Sequence, residues 1–262
     1  MELVLPGRPE KDMRGSERLF AIIEDLSGEP KTLTEVATAV GLPKSTALRF
    51  LRTLEAAGWV VRDKSGVYTL GAVVVGLAAQ YLSSDPVVTA ATPVMRELRA
   101  YLNETVSLSR RIGLTRVCVV EFPSTQNLRL VLGIGERGPL HAGASGLLLY
   151  AYMSPEERAS LGERTLERYT ARTITDPVEL EHEATVIGRR GWAISKGQRT
   201  KGGVAMAAPI FEPGSNREVA ALGLLGPELR CSTQREQKRW LDALITSARE
   251  INDAMTHSNQ IA

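Results

Sequence analysis

The residues best equipped for chemistry lie between Pro43 and Glu55, on one face of a segment whose pattern predicts a helix. Ala47, Phe50, Leu51 and Leu54 fall at i, i+3, i+4 and i+7, the spacing of a buried stripe. Lys44, Ser45, Leu48, Arg49 and Arg52 are left on the other side. Arg49 and Arg52 carry donors that suit a guanine edge or a phosphate. Ser45 and Thr46 stand in the first turn, where a recognition helix meets DNA. Leu48 either meets a thymine methyl or is an exposed leucine of no consequence.

The flanking sequence supplies what would hold such a helix in place. Thr32 followed by Glu35 fits a capping box at the start of a preceding helix, and Gly41 suits the left-handed residue that ends it. Leu42 can fill the angle between the two helices, and Pro43 opens the second. Upstream, Leu19, Phe20, Ile22, Ile23 and Leu26 predict a helix closing a three-helix core. Downstream, Trp59–Arg62 and Val67–Leu70 flank the turn Asp63-Lys64-Ser65-Gly66, a hairpin with Arg62 and Lys64 at its tip. Each piece alone is common, and a solvated helix beside an unrelated hairpin would explain it. Their order is far more specific. The run Leu42-Pro43-Lys44-Ser45-Thr46-Ala47 through Leu51-Arg52-Thr53-Leu54-Glu55, with Gly58 and Tyr68-Thr69-Leu70-Gly71, resembles the winged helix of the IclR family of bacterial transcriptional regulators. Many members have His where this chain has Leu48.

Composition sets wide bounds. The chain has 262 residues, enough for two modest domains or one large one, with 43% hydrophobic and 24% charged residues and a net charge of +2. Positive charge is local: Lys44, Arg49, Arg52, Arg62 and Lys64 against Glu55 and Asp63 give 5 − 2 = +3. Cys118 and Cys231, the only cysteines, set no zinc pattern, and a reduced cytoplasmic protein is the simple reading. Residues 1–13 read as a loose tail without a secretory signal. The apolar run 72–82 is too short to span a bilayer and reads as a linker helix that packs on a second subunit, or as a core helix.

Beyond Asp85-Pro86 an amphipathic helix spans 88–102, then strands are expected over 106–112, 116–122 and 128–134. Helices follow around Ser145–Tyr152 and after Ser154-Pro155 and Asp176-Pro177. Strands over 204–211 and 218–225 precede a last helix from about Ser232 to Met255. Strands at both ends with helices between imply an α+β sheet domain. This half also resembles the IclR family, in its GAF-like effector-binding domain. The matching pieces are Gly138-Pro139-Leu140-His141-Ala142-Gly143-Ala144-Ser145-Gly146, Thr173-Ile174-Thr175-Asp176-Pro177, Gly191-Trp192-Ala193, Ala207-Ala208-Pro209-Ile210 and Gly226-Pro227.

The resemblance implies an effector site walled by Leu130, His141, Ala144, Ser145, Gly146, Ser195, Arg199, Ala205, Gly223 and Leu225. Members that bind very small oxoacids place acidic, thiol or hydroxyl groups at several of these positions. The smaller, more apolar residues here imply a roomier pocket for an aromatic or branched acid or a related amide. Arg199 either pairs with a carboxylate or is a solvated arginine beside Lys196 and Lys201. Catalysis has little support: Gly143-Ala144-Ser145-Gly146 lacks the nucleophile-elbow spacing, His141, His182 and His257 form no readable triad, and no metal or cofactor motif occurs. The expected organisation is a winged helix-turn-helix at 1–71, a linker helix at 72–84 and a GAF-like antiparallel-sheet effector domain at 85–262. As a family member it would be a regulator, read as a repressor, that binds a palindromic operator in double-stranded DNA as a homodimer doubled to a homotetramer. The alternative is a GAF-like sensor or enzyme whose helical head binds protein.

Overall fold

The computed structural model describes residues 15–215 and 217–261; the tail expected over 1–13 lies outside them. The chain divides into two compact units, Met1–Ser84 and Asp85–Ala262.

In the first unit, helices α1 (Gly15–Leu26), α2 (Leu33–Ala39) and α3 (Lys44–Ala56) pack with a small sheet of β1 (Lys31–Thr32), β2 (Val60–Arg62) and β3 (Val67–Leu70). The strand order is β1-β3-β2, so the hairpin expected from sequence gains a third, two-residue strand. Ile22, Leu26, Val36, Leu51, Leu54, Val60 and Tyr68 form the core. The capping box at Thr32 forms as its spacing predicts. The Thr32 amide donates to Glu35 Oε2 at 2.8 Å, and the Glu35 amide donates to Thr32 Oγ1 at 3.4 Å. The turn between α2 and α3 is a Schellman motif: the Leu42 amide donates to the Ala37 carbonyl and the Gly41 amide to that of Thr38. Gly41 has φ +63°, a conformation that a Cβ would strain. That turn sets the angle at which α3 leaves α2. Helix α4 (Val73–Ser84) buries no residue although it carries no charge.

In the second unit, α5 (Pro86–Leu102) begins at Asp85, whose carboxylate accepts from the Val87 and Val88 amides. A six-stranded antiparallel sheet follows, built from β4 (Thr105–Ile112), β5 (Thr115–Phe122), β6 (Arg137–Pro139), β7 (Ala193–Lys196), β8 (Gly203–Phe211) and β9 (Glu218–Pro227). Its order is β6-β5-β4-β9-β8-β7. Between β6 and β7 run α6 (Ala144–Ala151), α7 (Pro155–Gly162) and α8 (Pro177–Arg190), and α9 (Gln234–Ile261) closes the chain. A Thr233–Glu236 capping pair opens α9 slightly later than expected.

The two sheet faces differ in side-chain size. Val106, Leu108, Val204, Met206, Leu222 and Leu224 pack with α5 and α9 on one face. On the other, Ala193, Ala207 and Ala221 pack with α6 and α8, and Ser107 and Gly223 lie in the same row. Helix α6 is mostly apolar and is buried from Ala144 to Tyr150, as such a helix must be.

The strand expected over 128–134 is a loop. Its backbone groups bond to side chains rather than to a neighbouring strand: the Leu130 carbonyl accepts from Thr105 Oγ1 at 2.6 Å, and that of Leu128 from Arg230 at 2.9 Å. The Leu132 and Gly133 amides donate to Glu121. The pairing strand is instead β6, and β7, given only as a family motif by the sequence, forms the far edge of the sheet.

Glu218 opens β9 under strain of a different kind. Burial pushes its carboxyl up to about 7, against the attraction of Arg111, Arg110 and Arg217. Arg110 is engaged by Asp85 at 2.9 Å, Arg111 by Glu157 at 2.9 Å and Arg217 by Glu212 at 3.7 Å, while Glu218 Oε1 has no hydrogen bond. Between the ordinary value of 4.5 and about 7, the folded state therefore holds a proton that the unfolded chain releases. Stability should fall as pH rises through that window. Glu218→Gln should flatten this slope and raise stability above pH 7 by on the order of 2 kcal/mol. Urea melts across the window check it; identical slopes for wild type and variant would refute the assignment.

Candidate functional site

The outer face of α3 presents the residues singled out from sequence. Ser45, Leu48, Arg49, Arg52 and Thr53 line one shallow, open surface. Lys44, Ser45, Arg49 and Arg52 are exposed, whereas Thr46 and Leu48 are half-buried. Ala47, Leu51 and Leu54 on the inner face are buried, so the amphipathic reading holds at those positions. The Arg49 guanidinium lies over the ring of its neighbour Phe50, 5.5 Å from the ring centroid. Lys64 is exposed at the tip of the hairpin. The turn beneath it is built by Asp63, whose carboxylate accepts from Ser65 Oγ, the Ser65 amide and the Val67 amide. Those bonds, the Ser65 hydroxyl foremost, hold the Asp63 carboxyl below the usual carboxylate range.

A second site lies wholly in the other unit. A cavity of about 90 Å³ is bounded by the start of α6, by β7, β8 and β9, and by the 123–136 loop. That is several times the roughly 10–15 Å³ needed by one water. The sheet register explains its place. Ser195, Ala205 and Leu225 are cross-strand neighbours, and Ala207 and Gly223 form the next row. With Ala and Gly in these positions the sheet does not fill the space below α6. A Cβ on Gly223 would stand 2.7 Å from Ser107 Oγ and 2.8 Å from Ser145 Oγ.

Eight of the ten effector residues implied by resemblance line this cavity: Leu130, Ala144, Ser145, Ser195, Arg199, Ala205, Gly223 and Leu225. His141 and Gly146 do not. Gly146 serves packing, since a Cβ there would be 2.4 Å from the Pro139 carbonyl oxygen. His141 is buried, its Nε2 is 2.9 Å from the Glu167 carbonyl, and its ring stacks on Tyr169 at 6.0 Å. Burial holds the imidazole below its ordinary range, outweighing the bond to Glu167. Tyr169 in turn carries Arg199, whose guanidinium lies 4.2 Å from the ring centroid and 3.7 Å from Glu136. His141 thus positions Arg199 from behind. Arg199 is neither a freely solvated arginine nor an uncommitted one.

Sequence reasoning missed Arg116. It sits on β5, far in sequence from the glycine-rich loop, yet lines the cavity and is 4% exposed. Burial, the largest influence, pulls its guanidinium below its ordinary range; Cys118, Glu136 and Glu121 oppose this and Arg199 adds to it. The only sequence signal was an arginine at a position that alternation along β5 turns inward. Leu132, Ala142, Gly143 and Gln198 also line the cavity.

Residues 16–64 match the family described as the IclR helix-turn-helix domain, and residues 79–253 match the bacterial transcriptional regulator IclR C-terminal family. The chain is 33% identical over 206 residues to the transcriptional regulator KipR of Bacillus subtilis, covering 78% of this chain and 82% of that protein. A crystal structure of an IclR-type regulator from a Silicibacter species superposes with a TM-score of 0.83 at 26% identity, over 92% and 96% of the two chains. An IclR homologue from Microbacterium hydrocarbonoxydans, complexed with 4-hydroxybenzoate, shares the fold with a TM-score of 0.79 at 23% identity, over 91% and 97%.

Two substitutions separate packing from surface. Gly146→Ala forces a Cβ against a backbone oxygen and should cost about 1–3 kcal/mol in chemical denaturation. Arg49→Ala, on the open face of α3, should stay within about 0.5 kcal/mol of wild type. Equal effects would contradict the placement of these residues.

Proposed function

The chain belongs to the IclR family of bacterial transcriptional regulators, and we propose that it represses a catabolic or metabolic operon in response to a small organic acid. The family relationship makes it a regulator with a helix-turn-helix DNA-binding domain and an effector domain, not an enzyme. The observation that carries the finer reading is the coexistence of two unlike sites in separate units. One is an open basic helix face, the other a small, partly open cavity. In this reading residues 1–71 bind DNA, 72–84 form a linker and 85–262 bind the effector, in the cytoplasm. No described helix is long and apolar enough to cross a membrane.

Lys44, Ser45, Thr46, Leu48, Arg49 and Arg52 contact the major groove, and Lys64 contacts a phosphate beside it. One recognition helix per half-site requires a dimer on a palindromic operator. Helix α4 supports that assembly. Its Val73 and Leu77, one turn apart on the same side, are 40% and 53% exposed, on a helix with no charged residue, a face suited to a second copy. Dimers pair further into a tetramer. An effector in the cavity shifts the equilibrium between arrangements that hold the two DNA heads differently, a coupling typically worth 1–3 kcal/mol in such systems.

Footprinting on the DNA upstream of its own gene at two salt concentrations tests the core of this reading. A protected inverted repeat that weakens steeply with salt is expected. Replacing Arg49 and Arg52 by Ala should abolish protection, and Lys64→Ala should lower the salt slope by about 1 while leaving sequence preference intact. Unchanged protection by the double variant would sink the assignment of α3. Leu77→Glu should shift the protein towards monomer in analytical ultracentrifugation and weaken operator binding; an unaltered sedimentation profile would remove α4 from the interface. 4-Hydroxybenzoate, the ligand of the Microbacterium structure, is the first compound to test for release of the operator.

A further inference from the structure

The cavity holds an arginine that Glu121 and Glu136 attract but that no carboxylate pairs at contact distance among the described residues. Arg116 is almost fully buried, its Nη1 is shielded from solvent without a hydrogen bond, and it makes no ion pair with any described residue. A guanidinium in that state lowers stability unless something pairs with it. Resting on the effector reading of this cavity, we propose that Arg116 selects the effector by pairing with the carboxylate of a small organic acid whose apolar part fills the space beside Leu130, Ala205 and Leu225.

Three features show that this placement is built rather than incidental. Arg116 is the cross-strand partner of Gly138, and the guanidinium occupies the space of the missing side chain. A Cβ on Gly138 would lie 2.5 Å from Nη2 and 2.8 Å from Cζ. The nearby carboxylates are engaged elsewhere: Glu121 accepts the Leu132 and Gly133 amides, and Glu136 faces Arg199. Finally, Gly143, Ala144 and Ser145 line the same cavity at the start of α6, where no side chain caps the helix. First-turn amides lack intrahelical acceptors and favour an anion. A planar carboxylate matches the arginine fork, whereas a neutral amide would leave the charge unpaired.

Arg199 is the competing anchor, and its contacts argue against it. Tyr169 and Glu136 already occupy it, and its side chain is 31% exposed. Its charge stands closer to solvent, where pairing contributes less.

The test uses the full-length protein with two matched pairs of probes, benzoate against benzamide and isobutyrate against isobutyramide. Binding is read by calorimetry and thermal shift. At least one acid should bind, with its amide weaker by about 10-fold or more. Arg116→Met should weaken the acid on the order of 100-fold and abolish its thermal shift. The same variant should raise the melting temperature of the ligand-free protein by roughly 2–4 °C, since a buried unpaired charge is gone. Arg116→Lys keeps the charge without the fork and should lose roughly 10-fold, which guards against a folding artefact in the Met variant. Arg199→Gln should stay within about 5-fold of wild type.

The proposal is overturned if an amide binds as tightly as its acid, or if Arg116→Met binds the acid like wild type. It is equally overturned if neither acid binds at concentrations on the order of 10 mM. Operator binding by the ligand-free protein is measured in the same samples. Its loss with acid selectivity intact would sink the regulator reading alone, and acid indifference with operator binding intact would sink only the role of Arg116.

Discussion

Strands β8 and β9 are buried on both faces, and everything in the second unit follows from how they share that burial. One face carries Val204, Met206, Leu222 and Leu224 against α5 and α9. The other carries mainly small residues, Ala205, Ala207, Ala221 and Gly223, with Leu225 beside the cavity. Large side chains on both would hold α6 too far from the sheet for its enclosed apolar surface to pack. The small residues admit the helix over most of its length. Where they continue past its first turn, they leave the cavity. Close packing and an empty space thus come from one pattern of side-chain size.

Polar groups around the cavity are arranged by the same economy of space. The 123–136 loop is held by Thr105, Arg230 and Glu121 through its backbone, which frees Leu130 and Leu132 to form a wall. Arg230 also pairs with the buried Glu104, tying the loop to the start of β4 and the end of β9. On the opposite side His141, Tyr169, Arg199 and Glu136 form a chain of stacked and paired groups. Arg116 lies within the field of both sets but forms no ion pair with either. A protein under selection for stability alone would have little reason to keep it there.

The first unit depends on a smaller device. The Schellman turn at Gly41 fixes how α3 leaves α2, and the core formed by Leu51, Leu54 and Tyr68 fixes its rotation. Together they decide which α3 residues face outward. The wing relies on Asp63, whose three accepted hydrogen bonds close the turn that presents Lys64. Neither feature involves a long-range contact, so both survive in the bare sequence as short motifs.

That difference in range separates what the sequence by itself determined from what the tertiary structure decided. The capping box at Thr32, the helix start at Ser154-Pro155, the turn at Gly41, the stripe of α3 and the order of family motifs were readable because each depends on residues a few positions apart. Eight cavity residues were also within reach, since motif positions carry over from the resemblance. The loop over 128–134 was misread because an alternating apolar pattern describes a cavity wall as well as a strand. Only the fold could show that its carbonyls and amides bond to side chains. Arg116 was invisible for the same reason: its meaning comes from Gly138 across the sheet, from Glu121 and Glu136 being engaged, and from α6 overhead. Those partners are brought together by β5 pairing with β6, and no local spacing encodes that pairing.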